Sequence, residues 1–281
     1  MTDPWSFNLD PGVMVLLALL VGAYASALRW VAPGWAPRPG SAVSRTQISL
    51  FALGVASLLV AVGWPLHQMG ERFLFSAHMT QHLIIGYITA PLLLLGTPGW
   101  MLRALLGGGV LRRIAKIVTR PLVAFALFNL LLVVTHWPAV VDLSLRSAPF
   151  HAGVHGALLV ISLAVWMPVV SPLPEIPRLA PPANLLYLFG QSILPTVPAS
   201  FLTFGEGVLY DFYAKVPRLW DISALGDQQM AGVIMKVGGG FLLWGMIAVL
   251  FFVWQADEER RSRPGLLDFD ELELELELSP S

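Results

Sequence analysis

The stretch FSAHMTQH, residues 75–82, sets His78 and His82 four apart with Met79 beside the first. FHAGVHG, residues 150–156, repeats the spacing at His151 and His155. The chain has six histidines, and His67 and His136 are the remaining two. On a helix, residues i and i+4 share a face with Cβ atoms about 6 Å apart. Each pair can therefore serve one metal ion, and two such helices facing each other would offer four nitrogens. There is no cysteine, which removes disulfides, thiolate copper relays, iron–sulfur clusters and covalently attached c-type haem. A metal site in this chain has to be built from His, Met, carboxylate and backbone groups. Imidazole combined with thioether suits copper in an oxidising compartment. A hard cation would ask for more carboxylates; zinc stays open through the imidazoles, though no HExxH stands here to place a glutamate as base. A lone histidine near a helix end is ordinarily hydrogen-bonded or interfacial, and a methionine is ordinarily packing. Two pairs at the same depth are what point to ligation.

The elements that must carry these residues are apolar. Apolar residues make up 56% of the chain and charged ones 12%, with a mean hydropathy of +0.70. That composition belongs to an integral membrane protein. A span needs about 20 mostly apolar residues, and seven stretches qualify: roughly 12–32, 47–66, 77–101, 121–137, 150–171, 184–203 and 228–255. The expected fold is all-α, a polytopic helix bundle of about seven transmembrane helices. Stretch four is short, and stretch six is interrupted by Pro195 and Pro198. The leader MTDPWSFNLDPG has no basic n-region, so the first stretch reads as a retained helix.

Arg29, Arg38, Arg45, Arg103, Arg112, Arg113, Lys116, Arg120, Arg178, Arg260, Arg261 and Arg263 fall in one set of loops. Only Arg72, Arg146, Lys215 and Arg218 fall in the other. The positive-inside rule puts the first set in the cytoplasm, the N-terminus outside and the C-terminus inside. In that orientation all six histidines lie in the outer third of the bundle, on four different stretches. Unpaired imidazoles are expensive in lipid, so they should face the bundle interior or a wet vestibule. Met230, Met235 and Asp227 belong to the same zone and join Met79 as candidate ligands beside His67, His78, His82, His136, His151 and His155. Lys236 is expected to snorkel outward.

Residues 1–256 read as one membrane domain and 257–281 as an acidic, disordered cytoplasmic tail ending in DFDELELELELSPS. Residues 103–120 read as a basic connection, with an amphipathic interfacial helix as the less favoured alternative. The aromatic segment 204–227 is the longest external connection and is expected to fold back over the bundle. No basic patch with interleaved aromatics suggests nucleic acid.

The blocks HMTQHLIIGYITAPLLLLGTPGW at 78–100, HAGVH to WMPVV at 151–170, and DQQMAGVIM at 227–235 resemble the multi-span CtaG family of assembly factors for caa-type cytochrome c oxidases. The resemblance covers roughly 45–255 and is distinct from the single-span, cysteine-bearing copper chaperone of the same name. It implies a multi-pass protein of the bacterial inner membrane that helps mature a haem–copper oxidase by delivering copper to subunit I. A periplasmic copper donor is a further partner class. By position, His78, Met79 and His82 match the family's HMxQH motif, His151 and His155 its second histidine motif, and Asp227, Gln228, Gln229 and Met230 its DQQ-type motif. Lys236 departs from the apolar or aromatic residue expected there. No bond-making chemistry is required, so an enzyme is not expected. Two other function classes compete: a haem-binding membrane protein, which would need axial histidines from two different helices, and a metal-free chaperone shielding an oxidase subunit.

Overall fold

The computed structural model of the chain describes Trp5, Phe7 and residues 11–36 and 42–262. It is 81% helical, with no strands among the described residues. Helices long and apolar enough to cross a membrane are Pro11–Trp35 (α1), Arg45–Arg72 (α2), Phe75–Gly96 (α3), Ala148–Val170 (α7), Pro181–Phe204 (α8) and Ala224–Ser262 (α9). Between them lie Val110–Val118 (α4), Pro121–Thr135 (α5) and Pro138–Arg146 (α6). The pair α4 and α5, bent by 79°, brings the number of spans to seven if taken together. The short fourth stretch is thus short in three dimensions too, because Pro121 starts α5 and His136 ends it.

Local chemistry sets the ends. Ser44 and Gln47 form a reciprocal capping box at the start of α2, satisfying two of the free N–H groups there. Pro121, Pro138 and Pro181 each open a helix, where a missing N–H costs nothing. Inside α3, Ile84–Thr89 is wound as a π-helix immediately before Pro91. Its Gly86 carbonyl accepts from Trp166 Nε1 of α7 at 2.7 Å, which ties the two histidine helices together across the core.

The histidine helices are the inner ones. Half or more of the apolar stretch is buried in α3 (61%) and α7 (50%), against 11% in α1 and α9. The main core gathers Leu58, Ile85, Phe128, Val165, Trp166, Leu188 and Leu243 between them. α2 packs closely on the second half of α3, where a Cβ on Gly96 would lie 2.3 Å from Phe51 N. Small residues allow such contacts between apolar helices, where dispersion rather than water drives packing. At the end of the bundle away from the histidines, Arg103 donates twice to Glu175, at 2.7 and 3.2 Å. That guanidinium holds the Glu175 carboxyl down to about 2.

Two expectations change. The last helix runs on through Ser262, so residues 257–262 are helical rather than disordered, with Asp257 and Arg261 paired one turn apart at 3.5 Å. The rest of the acidic tail, 263–281, lies outside the described residues, as do Arg38 and Arg263. In the basic connection, α4 is a helix with Val110, Leu111, Ile114 and Ile117 exposed, which is the alternative the sequence favoured less.

Gly96→Ala should lower stability by about 1–3 kcal/mol, because backbone rather than a flexible side chain stands in the way. Thermal unfolding in detergent checks this, with Gly240→Ala, which meets nothing within 4 Å, as the neutral control.

Candidate metal centre

The first two turns of α3 point His78 and His82 inward, and the first two turns of α7 bring His151 and His155 to meet them. Ring centroids lie 4.5 Å apart within the first pair and 4.3 Å within the second. Across the helices His78 is 5.4 Å from His151 and 5.6 Å from His155, and His82 is 5.2 Å from His155. His67 of α2 joins at 5.8 Å from His151, and His136 at 6.2 Å from His82. All six histidines therefore form one chain of rings. Two groups have ligand atoms mutually within 4.8 Å: His78 with His82 and His155, and His67 with His151 and His155. His155 belongs to both.

Hydrogen bonds decide which nitrogens are free. The Ala61 carbonyl can only accept, so the 2.7 Å contact makes Gln81 Nε2 the amide donor, and its second hydrogen faces His67 Nδ1 at 3.0 Å. The neutral His67 ring then carries its proton on Nε2, 3.3 Å from Glu71 Oε1. His151 Nδ1 meets Ser144 Oγ at 3.1 Å, while its Nε2 stands 3.3 Å from the same Glu71 oxygen. His78 Nδ1, His82 Nε2, His151 Nε2 and His155 Nε2 are all buried with no hydrogen-bond partner, and of these only His151 Nε2 has a carboxylate oxygen nearby. Buried polar atoms are nearly always satisfied. Four such ring nitrogens in one cluster supply lone pairs that a metal ion could take up.

The family model for cytochrome c oxidase caa3 assembly factors, Caa3_CtaG, matches residues 22–257. The chain belongs to the CtaG family. No curated protein and no solved structure matches it.

The third CtaG motif does different work from the two histidine motifs. Asp227 accepts from Phe75 N at 2.6 Å, Ser76 N at 3.1 Å and Ser76 Oγ at 2.5 Å. It caps the N-terminus of the histidine helix from another helix, so both oxygens are spent on backbone and hydroxyl rather than facing the rings. Gln228 takes Leu209 N at 2.7 Å and gives to Gly207 O at 3.1 Å, and Gln229 gives to Gly205 O. The DQQ block thus fastens the 204–227 segment, which folds back over the histidine end of the bundle. There Tyr210 donates to the His136 carbonyl and Tyr213 to the Gly70 carbonyl. Burial, reinforced by Asp142 beside Tyr210 and Asp227 beside Tyr213, raises both phenols, so they remain donors at neutral pH.

Of the methionine candidates, Met79 and Met235 are buried, at 3% and 6% exposure, and both line a cavity with His82 and His136. Met230 is 54% exposed: one position from Gln229 and five from Met235 on the same helix, it faces outward away from the rings. Lys236 is exposed as well, in keeping with snorkelling. The residues that sequence reasoning missed are the ones orienting the rings. Glu71 stands four after His67, a spacing that could have flagged it, whereas Ser144 is seven before His151 and gave no signal.

Asp227→Ala removes the cap from α3 and should lower stability by about 1–2 kcal/mol, whereas Met230→Ala should change it by less than about 0.5 kcal/mol. Thermal unfolding of the two variants side by side makes the comparison.

Proposed function

We propose that this CtaG-family chain binds copper through His78, His82 and His155 and assists its delivery to the catalytic subunit of a caa3-type oxidase. The observation that carries this reading is that three of the four ring nitrogens buried without partners belong to rings whose ligand atoms lie within 4.8 Å of one another. Neutral imidazoles bind copper well and exchange readily, and three of them leave a coordination position open to an incoming or outgoing partner. Ser144, Gln81 and Glu71 hold the neighbouring rings His67 and His151, against which His78 and His155 pack. His151, which touches both Glu71 and the triad, is the ring best placed to exchange with it.

The basic-residue bias between the two sets of loops supports an orientation in which this cluster faces the outside of a bacterial inner membrane. A copper donor there would meet it from the aqueous side, at the polar cavity of about 80 Å³ lined by His67, Gln68, Glu71 and Arg72. The receiving partner is subunit I, whose binuclear centre needs copper. Capture and release require no covalent chemistry, so the role is that of a chaperone rather than an enzyme. A haem fits this arrangement poorly. The cavities at the cluster measure about 40 and 80 Å³, against about 300–1,000 Å³ for pockets that enclose a ligand of even drug size.

Metal analysis of the detergent-purified protein after copper loading, beside His78→Ala/His82→Ala, tests the reading. The variant should retain less copper than the wild type by about one equivalent per chain, the loss of a three-imidazole site. Equal and negligible copper in both would reduce the protein to a metal-free chaperone. Cells carrying the double variant should in turn contain oxidase deficient in copper, read from the purified oxidase's metal content.

A further inference from the structure

The ring chain does not end at the triad. His136 lies beyond it, and its environment differs in kind. Its Nδ1 is 2.7 Å from the Leu132 carbonyl oxygen. A carbonyl only accepts, so Nδ1 carries the hydrogen, and the neutral ring presents a bare lone pair at Nε2. That lone pair faces Met79 Sδ at 3.3 Å. A thioether sulfur has lone pairs and no hydrogen to give. Two acceptors therefore stand face to face, the sulfur buried and the ring half-buried, an arrangement that gains nothing as a hydrogen bond and becomes favourable once a soft cation bridges nitrogen and sulfur.

The surroundings narrow the choice of cation. Met79, His82, His136 and Met235 share a cavity of about 40 Å³ whose other walls are mostly apolar, Tyr87 and Phe128 among them. The polar cavity at Glu71 has no lining residue in common with it. The desolvation penalty rises steeply with charge in so apolar a setting, which selects a monovalent ion over a divalent one. Thioether sulfur is a soft ligand and selects copper in its reduced state. His82 belongs to both places: it is one of the three clustered imidazoles and also lines this cavity.

We propose that Met79, His136 and Met235 form a second site, separate from the imidazole cluster, that takes Cu(I) and exchanges it with the cluster through His82. The proposal rests on the copper reading given above and adds a direction to it. Metal enters at a polar, carboxylate-bearing mouth and passes through imidazoles to a soft, apolar terminus, without leaving protein ligands on the way.

The test uses the full-length protein in detergent, titrated anaerobically with Cu(I) against a competing chelator and examined by X-ray absorption at the copper edge. Ag(I), which shares the soft-ligand preference and has no second oxidation state to reach, serves as the parallel probe. The wild type should bind about two equivalents of Cu(I) per chain, one with a sulfur neighbour, given one imidazole and one thioether site. Met79→Leu, close in volume, should bind about one and lose the sulfur signal, while His78→Ala/His155→Ala should keep the sulfur-bound ion. Met235→Leu provides a second variant should Met79→Leu fail to fold, and should weaken Ag(I) retention. Copper bound only through nitrogen, with Met79→Leu and Met235→Leu both unchanged, overturns the second site and leaves the copper reading standing. A wild type that binds no copper at all overturns both.

Discussion

One buried carboxylate determines where the histidine helix begins. Asp227, 1% exposed, belongs to the last span, yet it accepts two backbone N–H groups and a hydroxyl at the first turn of Phe75–Gly96. The first N–H groups of a helix have no partner within it, and the positive end of the helix dipole favours a negative charge there. With that end buried among Phe75, Tyr210 and Tyr213, water is not available to do the job. The depth and rotation of His78 and His82 follow from this contact, and with them the position at which the second histidine helix can meet the first.

The rings themselves present the opposite problem. Six imidazoles in an apolar bundle have to be satisfied or given something to bind. The rings nearest Glu71 are supported: His67 by Gln81 and Glu71, and His151 by Ser144 at Nδ1. The middle of the chain is not, and it is there that His78, His82 and His155 converge. Fully supported rings would make a structural polar network. Supported rings flanking unsupported ones make a site whose ligands are held in place but not used up.

How much of this was readable in the sequence varies from residue to residue. The two histidine pairs were readable because i,i+4 spacing defines a helix face whatever the tertiary structure. That the two faces meet depends on the Trp166-to-Gly86 contact and on the packing of α2 against Gly96, neither of which has a local signature. Asp227 looked like a ligand because carboxylates often are, but its spatial neighbours sit about 150 positions away in the chain, so its capping role was out of sight. Met230 and Met235 were indistinguishable by type, and only the helix rotation separates the exposed one from the buried one. The continuation of the last helix to Ser262 was hidden because charged residues in a tail read alike whether they extend a helix or not.

The shortness of Pro121–Thr135 has a consequence in the lipid. Fifteen residues rise about 22 Å along a helix axis, against about 30 Å of hydrocarbon in a typical bilayer. Next to it in the bundle, the 23 residues of Ala148–Val170 rise about 34 Å and can cross the full thickness. The acyl chains beside the shorter helix must compress to meet it, at a fraction of a kcal/mol for each ångström. His136 closes that helix, so its end of the ring chain would lie along the flank where a bilayer has to thin. A neighbouring membrane protein with a similarly thin flank would find its lowest lipid strain by settling against this side of the bundle.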